Sequence, residues 1–158
     1  MESVAGKQAI PGEMQQSRDV AMGLDTRWKQ RFYNFDRPCT LLHESLAEGP
    51  GALSTLEKEG VAQRFEYSFE LAWKTMRDYL EEEGVSIIPV TARQVIKEAF
   101  AARLIDDGQV WIDMLDHRNL LSHTYNAAVF GTAVEAIANR YLPAMESVRR
   151  WFASESRK

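Results

Sequence analysis

Cysteine is nearly absent from this chain: Cys39 has no second thiol with which to form an internal disulfide. The few histidines are not spaced with cysteine in the pattern of a zinc site. We therefore expect no metal, no other cofactor and no redox function. The sequence also has no apolar run of roughly 18 residues and no N-terminal secretion signal. These absences predict a soluble protein of the cytoplasm that does not contact membranes.

The glycine patterns that bind phosphate in Rossmann and Walker loops are missing too. Any nucleotide must therefore be held in another way. The formal net charge is -4, from 23 acidic and 19 basic residues. This balance argues against a protein whose whole surface attracts nucleic acid, although it permits a local basic site.

With 158 residues, of which 45% are hydrophobic, the chain has the size and composition of a single domain. Residues 1–22 mix Gly, Pro, Ser, Gln and charges without an apolar period, and we predict a flexible extension there. The domain is expected to span 23–155, followed by a short tail, 156–158.

Apolar residues recur every three or four positions from Leu24 to Leu46, which predicts a long first helix. Proline removes a backbone hydrogen bond and clashes with the preceding turn. We therefore expect a kink or a split between Asp36 and Pro38.

A second helix is predicted from about Ser54 to Glu83, with Gly84 just past its end. Its apolar face holds Val61, Phe65, Phe69, Ala72, Trp73, Met76, Tyr79 and Leu80. Its other face is charged and holds Glu66, Glu70, Lys74, Arg77 and Asp78.

Residues 85–90 are β-prone, but they have no partner strand, so we expect a loop. Thr91 and Gln94 form the pattern of a capping box, which predicts the start of a third helix. The side chains expected to point inward from it are Val95, Ile96, Ala99 and Phe100.

A fourth helix is predicted over about 109–125 and a fifth over about 127–154, with a bend just before Pro143. About five helices joined by short loops predict an all-α fold, an up-and-down helical bundle.

The fourth helix carries a charge in the middle of its apolar face. With Ile112 at 0° and about 100° per residue, Arg118 lies at about 240°. The apolar arc around it, from about 180° to 300°, holds Trp111, Met114, Leu115 and Leu121. An unpaired buried charge costs several kcal/mol, so Arg118 needs a partner, a cleft or a subunit interface.

Asn119 and His123 are one turn apart and line the edge of this arc. Arg118 and His123 differ by about 140° and about 7.5 Å along the helix, so one chain does not direct both at one atom. Each of these residues, taken alone, also has a structural explanation. His123 can form a structural hydrogen bond, Arg118 can form a salt bridge as readily as it binds phosphate, and Tyr125 can serve in packing. Two further histidines are expected on the surface: His43 and His117.

The segment RNLLSH at 118–123 matches the Arg-x4-His pattern of HEPN domains, and Thr124 and Tyr125 extend it to Arg-x4-His-x-Tyr. RFEYSFELAWKTMRDYL at 64–80, preceded by LSTLEKEG, resembles the second helix of the nucleotidyltransferase substrate-binding-like branch of that superfamily. The resemblance covers about 24–152, and Pro38 is a departure from it.

This resemblance implies a helical bundle that forms a homodimer and accompanies a separately encoded minimal nucleotidyltransferase. It also implies one of two functions. In the first, the chain is the toxin-like component of a two-gene toxin–antitoxin module, a metal-independent ribonuclease whose composite site combines the motifs of two subunits. In the second, it is a non-catalytic nucleotide- or substrate-binding subunit of the transferase.

In the ribonuclease interpretation, His123 transfers a proton while the RNA 2′-hydroxyl attacks the adjacent phosphate. Arg118 stabilises the phosphorane charge, and Asn119 orients the phosphate or the histidine ring. Trp111 and Ser122 are the candidates for contact with RNA or nucleotide.

Tyr125 lies about 20° from the stripe of Arg118 on an ideal helix. In toxin-like relatives the partner transferase adds AMP to the matching tyrosine, which makes Tyr125 the candidate for a regulatory modification. The added phosphate would repel RNA from the site. A purely structural interpretation instead pairs Arg118 with Asp116 or Glu70 across an interface.

Overall fold

The structure of the protein is a computed structural model that describes the backbone of residues 11–158 and the side chains of residues 27–158. Within these residues the α-helices are α1 (Pro11–Ser45), α2 (Thr55–Glu82), α3 (Ala92–Ala101), α4 (Gly108–His123), α5 (Ala127–Ala136) and α6 (Leu142–Glu155). The described part of the chain contains no β-strand, so the predicted all-α fold is confirmed. Of the extension predicted over 1–22, residues 1–10 lie outside the described part, and the backbone of the rest belongs to α1.

The two longest helices, α1 and α2, run antiparallel. Arg31 Nε donates to Asp78 Oδ2 at 2.6 Å, and Arg64 Nη1 donates to Ser45 Oγ at 2.7 Å. Of the kink or split predicted between Asp36 and Pro38, the split is wrong, because α1 continues through Pro38, and the kink stays a prediction. The Pro38 side chain is buried, so packing against the core stabilises α1 where its backbone lacks a donor.

Both ends of α2 lie where the sequence predicts them. Ser54 Oγ accepts from the Glu57 amide at 3.1 Å, and Glu57 Oε1 accepts from the Ser54 amide at 2.9 Å, which completes a capping box. Gly84 follows the helix with φ 87°, a left-handed conformation that glycine adopts without strain. The amide of Val85 then reaches back to the Leu80 carbonyl at 2.9 Å, as in a Schellman motif.

The predicted apolar face of α2 packs in the centre of the bundle, against α1, α3, α4 and α5. All of its residues are buried except Tyr79, which is partly exposed. Asp78, expected on the charged face, is also buried, with 4% of its surface exposed. Its carboxylate is tolerated there because Arg31 and Arg77 approach it to 2.6 and 3.1 Å.

Helix α3 begins as predicted, because Thr91 Oγ1 accepts from the Gln94 amide at 3.2 Å. The Gln94 side chain bonds Glu98 instead of completing the box. Phe100, expected in the core, is 54% exposed. Its ring lies beside Gly108, at the start of α4, and this contact leaves much of the side chain open to solvent.

Helices α5 and α6 are joined without a loop by a π-helical turn, Ile137–Tyr141. The structure has this π-helical turn where the sequence predicted a bend, just before Pro143, and the bend itself stays a prediction. Prolines and π-helical turns are both places where helices kink. The turn places Tyr141 in the core, where its ring stacks on Phe65 with centroids 5.5 Å apart.

Candidate functional site at the end of α4

Helix α4 ends at His123, two residues earlier than predicted. Thr124 is extended, with φ −134° and ψ 120°. Asn126 causes this early end, since its side chain accepts from two backbone amides in the first turn of α5, a role that requires an extended backbone. Tyr125 therefore lies in the link between α4 and α5, and its predicted position on the Arg118 stripe is wrong.

Arg118 has its partner within its own chain. Its Nη2 lies 3.2 Å from Glu70 Oε2 on α2, and its guanidinium lies 5.8 Å from the centre of the Phe69 ring. Its side chain keeps 27% of its surface exposed. The charge in the apolar arc of α4 is thus neutralised by α2, rather than across an interface as the structural interpretation expected.

Glu70 is itself held by three groups. Besides Arg118, it accepts from Trp73 Nε1 at 3.0 Å and pairs with Lys74 Nζ at 3.2 Å. Partial burial alone would raise the pKa of the Glu70 carboxyl, but these hydrogen bonds and positive charges outweigh it and lower the pKa below its usual value. Glu70 is therefore ionised near neutral pH and orients Arg118.

Three glutamates of α2, which we name the acidic stripe, face this end of α4: Glu59, Glu66 and Glu70. From the sequence, Glu70 was one of two acids expected to pair with Arg118, but across an interface, and the contacts of Glu59 and Glu66 with the motif were not predicted. The signal was their spacing of seven and four residues, which puts all three on one side of a helix.

Besides Arg118, the acidic stripe contacts two further residues of the motif, Ser122 and Tyr125. Ser122 Oγ donates to the Arg118 carbonyl at 2.9 Å and lies 3.4 Å from Glu66 Oε2. Burial raises the pKa of the Glu66 carboxyl, although the Ser122 hydroxyl and the charge of Arg118 act against this.

The Tyr125 hydroxyl donates to Glu59 Oε1 at 2.7 Å, and this bond raises the pKa of the tyrosine because it favours the protonated phenol. The side chain itself is 81% exposed. Its ring meets Phe130 of α5 edge-on, with centroids 5.5 Å apart. Tyr125 is thus accessible from solvent but oriented by one carboxylate.

Asn119 and His123 are both exposed, and within the described side chains neither forms a hydrogen bond or an ion pair. No side-chain hydrogen bond or ion pair there joins His123 to Arg118 or Asn119. The structure thus places the motif residues at one end of α4 without assembling them into one site.

Trp111 does not fit its predicted contact with RNA or nucleotide. Only 2% of it is exposed, and its ring packs 6.2 Å from that of Phe69. It contributes to the core beneath Arg118. We therefore remove Trp111 from the candidate site.

The prediction for His117 is also wrong, because this residue is half-buried. A hydrogen bond joins its Nδ1 to the Tyr141 hydroxyl. Burial lowers the pKa of His117, while the neighbouring Asp113 opposes this shift. The neutral ring therefore ties α4 to the π-helical turn. His43 is exposed, as predicted.

Among the described residues, no three metal-ligating side chains cluster. None of the described helices is both long and apolar enough to span a membrane.

Comparison with known proteins identifies the family. Residues 30–152 match the family described as "Nucleotidyltransferase substrate binding protein like". The chain belongs to this family, the nucleotidyltransferase substrate-binding-like branch of HEPN domains.

A Haemophilus influenzae protein named "Probable ribonuclease HepT" is 33% identical over 70 residues, which cover 42% of this chain and 48% of that protein. The chain thus spans about half the length of this curated relative.

Two solved structures are similar. A Thermus thermophilus protein is 31% identical, with a TM-score of 0.62, over 72% of this chain and 94% of that one. An H. influenzae protein is described as having the fold of a substrate-binding domain of a nucleotidyltransferase. It is 23% identical, with a TM-score of 0.55, over 81% and 97% of the two chains, and it supports the fold alone.

Proposed function

We propose that the protein is a toxin-like ribonuclease that cleaves RNA without a metal ion, as a homodimer partnered by a minimal nucleotidyltransferase. The observation that carries this proposal is an exposed His123, whose side chain forms no hydrogen bond or ion pair among the described residues, five residues beyond the oriented Arg118. The name of the H. influenzae relative supports the same activity.

The reaction needs a base, an acid and a stabilised phosphorane. His123 takes the proton of an RNA 2′-hydroxyl while that oxygen bonds to the adjacent phosphorus. The bond from phosphorus to the 5′-oxygen breaks, and the leaving oxygen takes up the proton that His123 has received. Arg118 stabilises the negative charge that develops on the phosphoryl oxygens, and Asn119 orients the phosphate.

The surface of α5 supports the homodimer. Its sequence, AAVFGTAVEA, is apolar on nearly every side, yet only Ala133 and Val134 are buried. Leu120 of α4 is 44% exposed near the same end of the bundle. An apolar helix is normally covered on all sides, so a second copy suits this surface. Packing there would bring His123 of one subunit toward Arg118 of the other, in two equivalent sites.

One observation favours the alternative of a non-catalytic nucleotide- or substrate-binding subunit. Glu70 already neutralises Arg118, and the acidic stripe faces the motif, which disfavours a polyanion. Ribonuclease activity requires an RNA phosphate to displace Glu70 or to bind a different nitrogen of the guanidinium.

Incubation of the purified protein with mixed RNA in excess chelator separates the two functions. We expect fragments that end in cyclic phosphate and accumulate at the same rate with and without chelator. His123→Ala purified in parallel controls for contaminating nucleases. Intact RNA, together with binding of a nucleotide or of the transferase, would instead establish the binding subunit.

Regulation through Tyr125 is part of the proposal, because its hydroxyl is accessible and oriented by Glu59. After coexpression with the partner transferase, intact-mass measurement should find an adenylyl adduct on the wild type and none on Tyr125→Phe. Tyr33→Phe, which alters another exposed tyrosine, should keep the adduct. An adduct that survives Tyr125→Phe would refute this assignment.

A further inference from the structure

A groove of about 990 Å³ runs between α1 and α2 and opens to solvent. Its volume lies at the upper end of the range for ligand sites, roughly 300–1,000 Å³. None of the motif residues of α4 lines it. The groove is therefore a surface feature separate from the candidate site.

Each wall of the groove presents one tyrosine and one arginine. Tyr33 and Arg37 are one turn apart on α1, and Arg64 and Tyr67 are three residues apart on α2. The two tyrosines are 78% and 58% exposed, although large aromatic side chains are usually well covered. Their rings are accessible to a planar ligand.

The positive charge of the groove is not cancelled by carboxylates. Arg64 is held by two neutral acceptors, Ser45 Oγ at 2.7 Å and the Leu41 carbonyl at 3.4 Å. Arg37 is exposed and pairs with no carboxylate among the described side chains.

The one acid that lines the groove, Asp36, is itself paired, because Arg149 of α6 lies 3.3 Å away. The two groove arginines therefore form a positive site on a chain whose net charge is -4. Such a local site attracts an anion that the rest of the surface repels.

We propose that this groove binds single-stranded RNA, with bases stacked on Tyr33 and Tyr67 and phosphates bound by Arg37 and Arg64. Tyrosine faces beside guanidinium groups suit an unpaired strand, because every base offers a face for stacking and every nucleotide a phosphate. From Tyr33 to Leu41 the groove extends about 12 Å along α1, which suits a strand better than a single nucleotide.

This inference rests on the proposed ribonuclease function, since it assigns a substrate-holding surface to that enzyme. On α2, Gly60 lines the groove, and its neighbour Glu59 holds Tyr125. Glu59 and Gly60 are consecutive residues that differ by about 100° around α2, so the groove and the candidate site are adjacent surfaces. A strand bound there can continue toward the end of α4.

Binding is measured with a fluorescein-labelled 2′-O-methyl oligonucleotide, which lacks the attacking hydroxyl, by anisotropy on the full-length protein. We expect Tyr33→Ala and Tyr67→Ala to weaken binding about tenfold each. Arg37→Ala should lower the slope of log affinity against log salt by about 1. The matched controls, Phe100→Ala and Arg150→Ala, alter an exposed aromatic and an exposed arginine elsewhere and should leave binding unchanged.

Unchanged binding in the groove variants, or no binding by the wild type, would overturn the inference. Dissociation of the dimer by Tyr33→Ala in size-exclusion chromatography would instead make the groove a contact between copies, and would overturn it too. The proposed function fails separately: if the wild type binds through the groove but leaves natural RNA intact, the binding surface stands and the ribonuclease does not.

Discussion

Mixing Arg118→Ala subunits with His123→Ala subunits is expected to restore RNA cleavage that neither variant has alone. The two side chains project about 140° apart on α4, and Glu70 holds Arg118 toward α2 while His123 is exposed. A composite site therefore needs Arg118 from one subunit and His123 from the other. In a mixed dimer, one of the two sites receives both intact side chains.

The expected activities follow from random pairing. Each single variant should lose roughly 10²- to 10⁴-fold in cleavage rate, the range for removal of an acid–base group or a charge stabiliser. The mixture, unfolded and refolded together, should recover about a quarter of the wild-type rate, because half the dimers are mixed and half their sites are intact.

His43→Ala is the matched control, because it removes another exposed histidine and should leave the rate unchanged. Phe130→Asp on α5 tests the interface, since a buried carboxylate there should produce monomers and abolish cleavage. A mixture as inactive as its components, at a concentration where dimers are present, would contradict a site shared between subunits.

Trp111→Ala is expected to lower the free energy of unfolding by about 3–5 kcal/mol, as large core truncations do. The indole is only 2% exposed and packs on Phe69, whose ring also contacts the Arg118 guanidinium. Urea denaturation followed by far-UV circular dichroism measures the change.

Trp111→Phe separates this structural role from the predicted contact with RNA. It keeps an aromatic ring in the core, and we expect the folded variant to bind and cleave RNA at the wild-type rate. Loss of RNA binding in a fully folded Trp111→Phe protein would restore Trp111 to the site and contradict its burial.

The helices could be predicted because the periodicity of apolar residues and the capping residues are local signals. As expected, α2 begins after Ser54 and ends before Gly84, and Thr91 precedes the first residue of α3. The split was the wrong alternative at Pro38, since the cost of a proline inside a helix depends on packing that neighbouring residues in the sequence do not reveal. Phe100 was wrongly expected in the core, since helix periodicity does not show whether another element covers that position.

The motif residues were located from their order in the chain, but most of their partners were not. The sequence named Asp116 and Glu70 as candidate partners of Arg118, and only the packing of α2 against α4 selects Glu70 and places it in the same chain. The same packing buries Trp111. It also brings the acidic stripe to the motif, because residues more than 45 positions apart meet only in the tertiary structure.

By itself the sequence determined an all-α chain and the order of Arg118, Asn119, His123 and Tyr125, because helix periodicity and motif spacing are properties of neighbouring residues. The tertiary structure decided which of these side chains are neutralised and which are exposed. Burial and electrostatic pairing depend on residues distant in sequence, so only the folded bundle shows Arg118 bound to α2, Tyr125 held by Glu59 and His123 exposed.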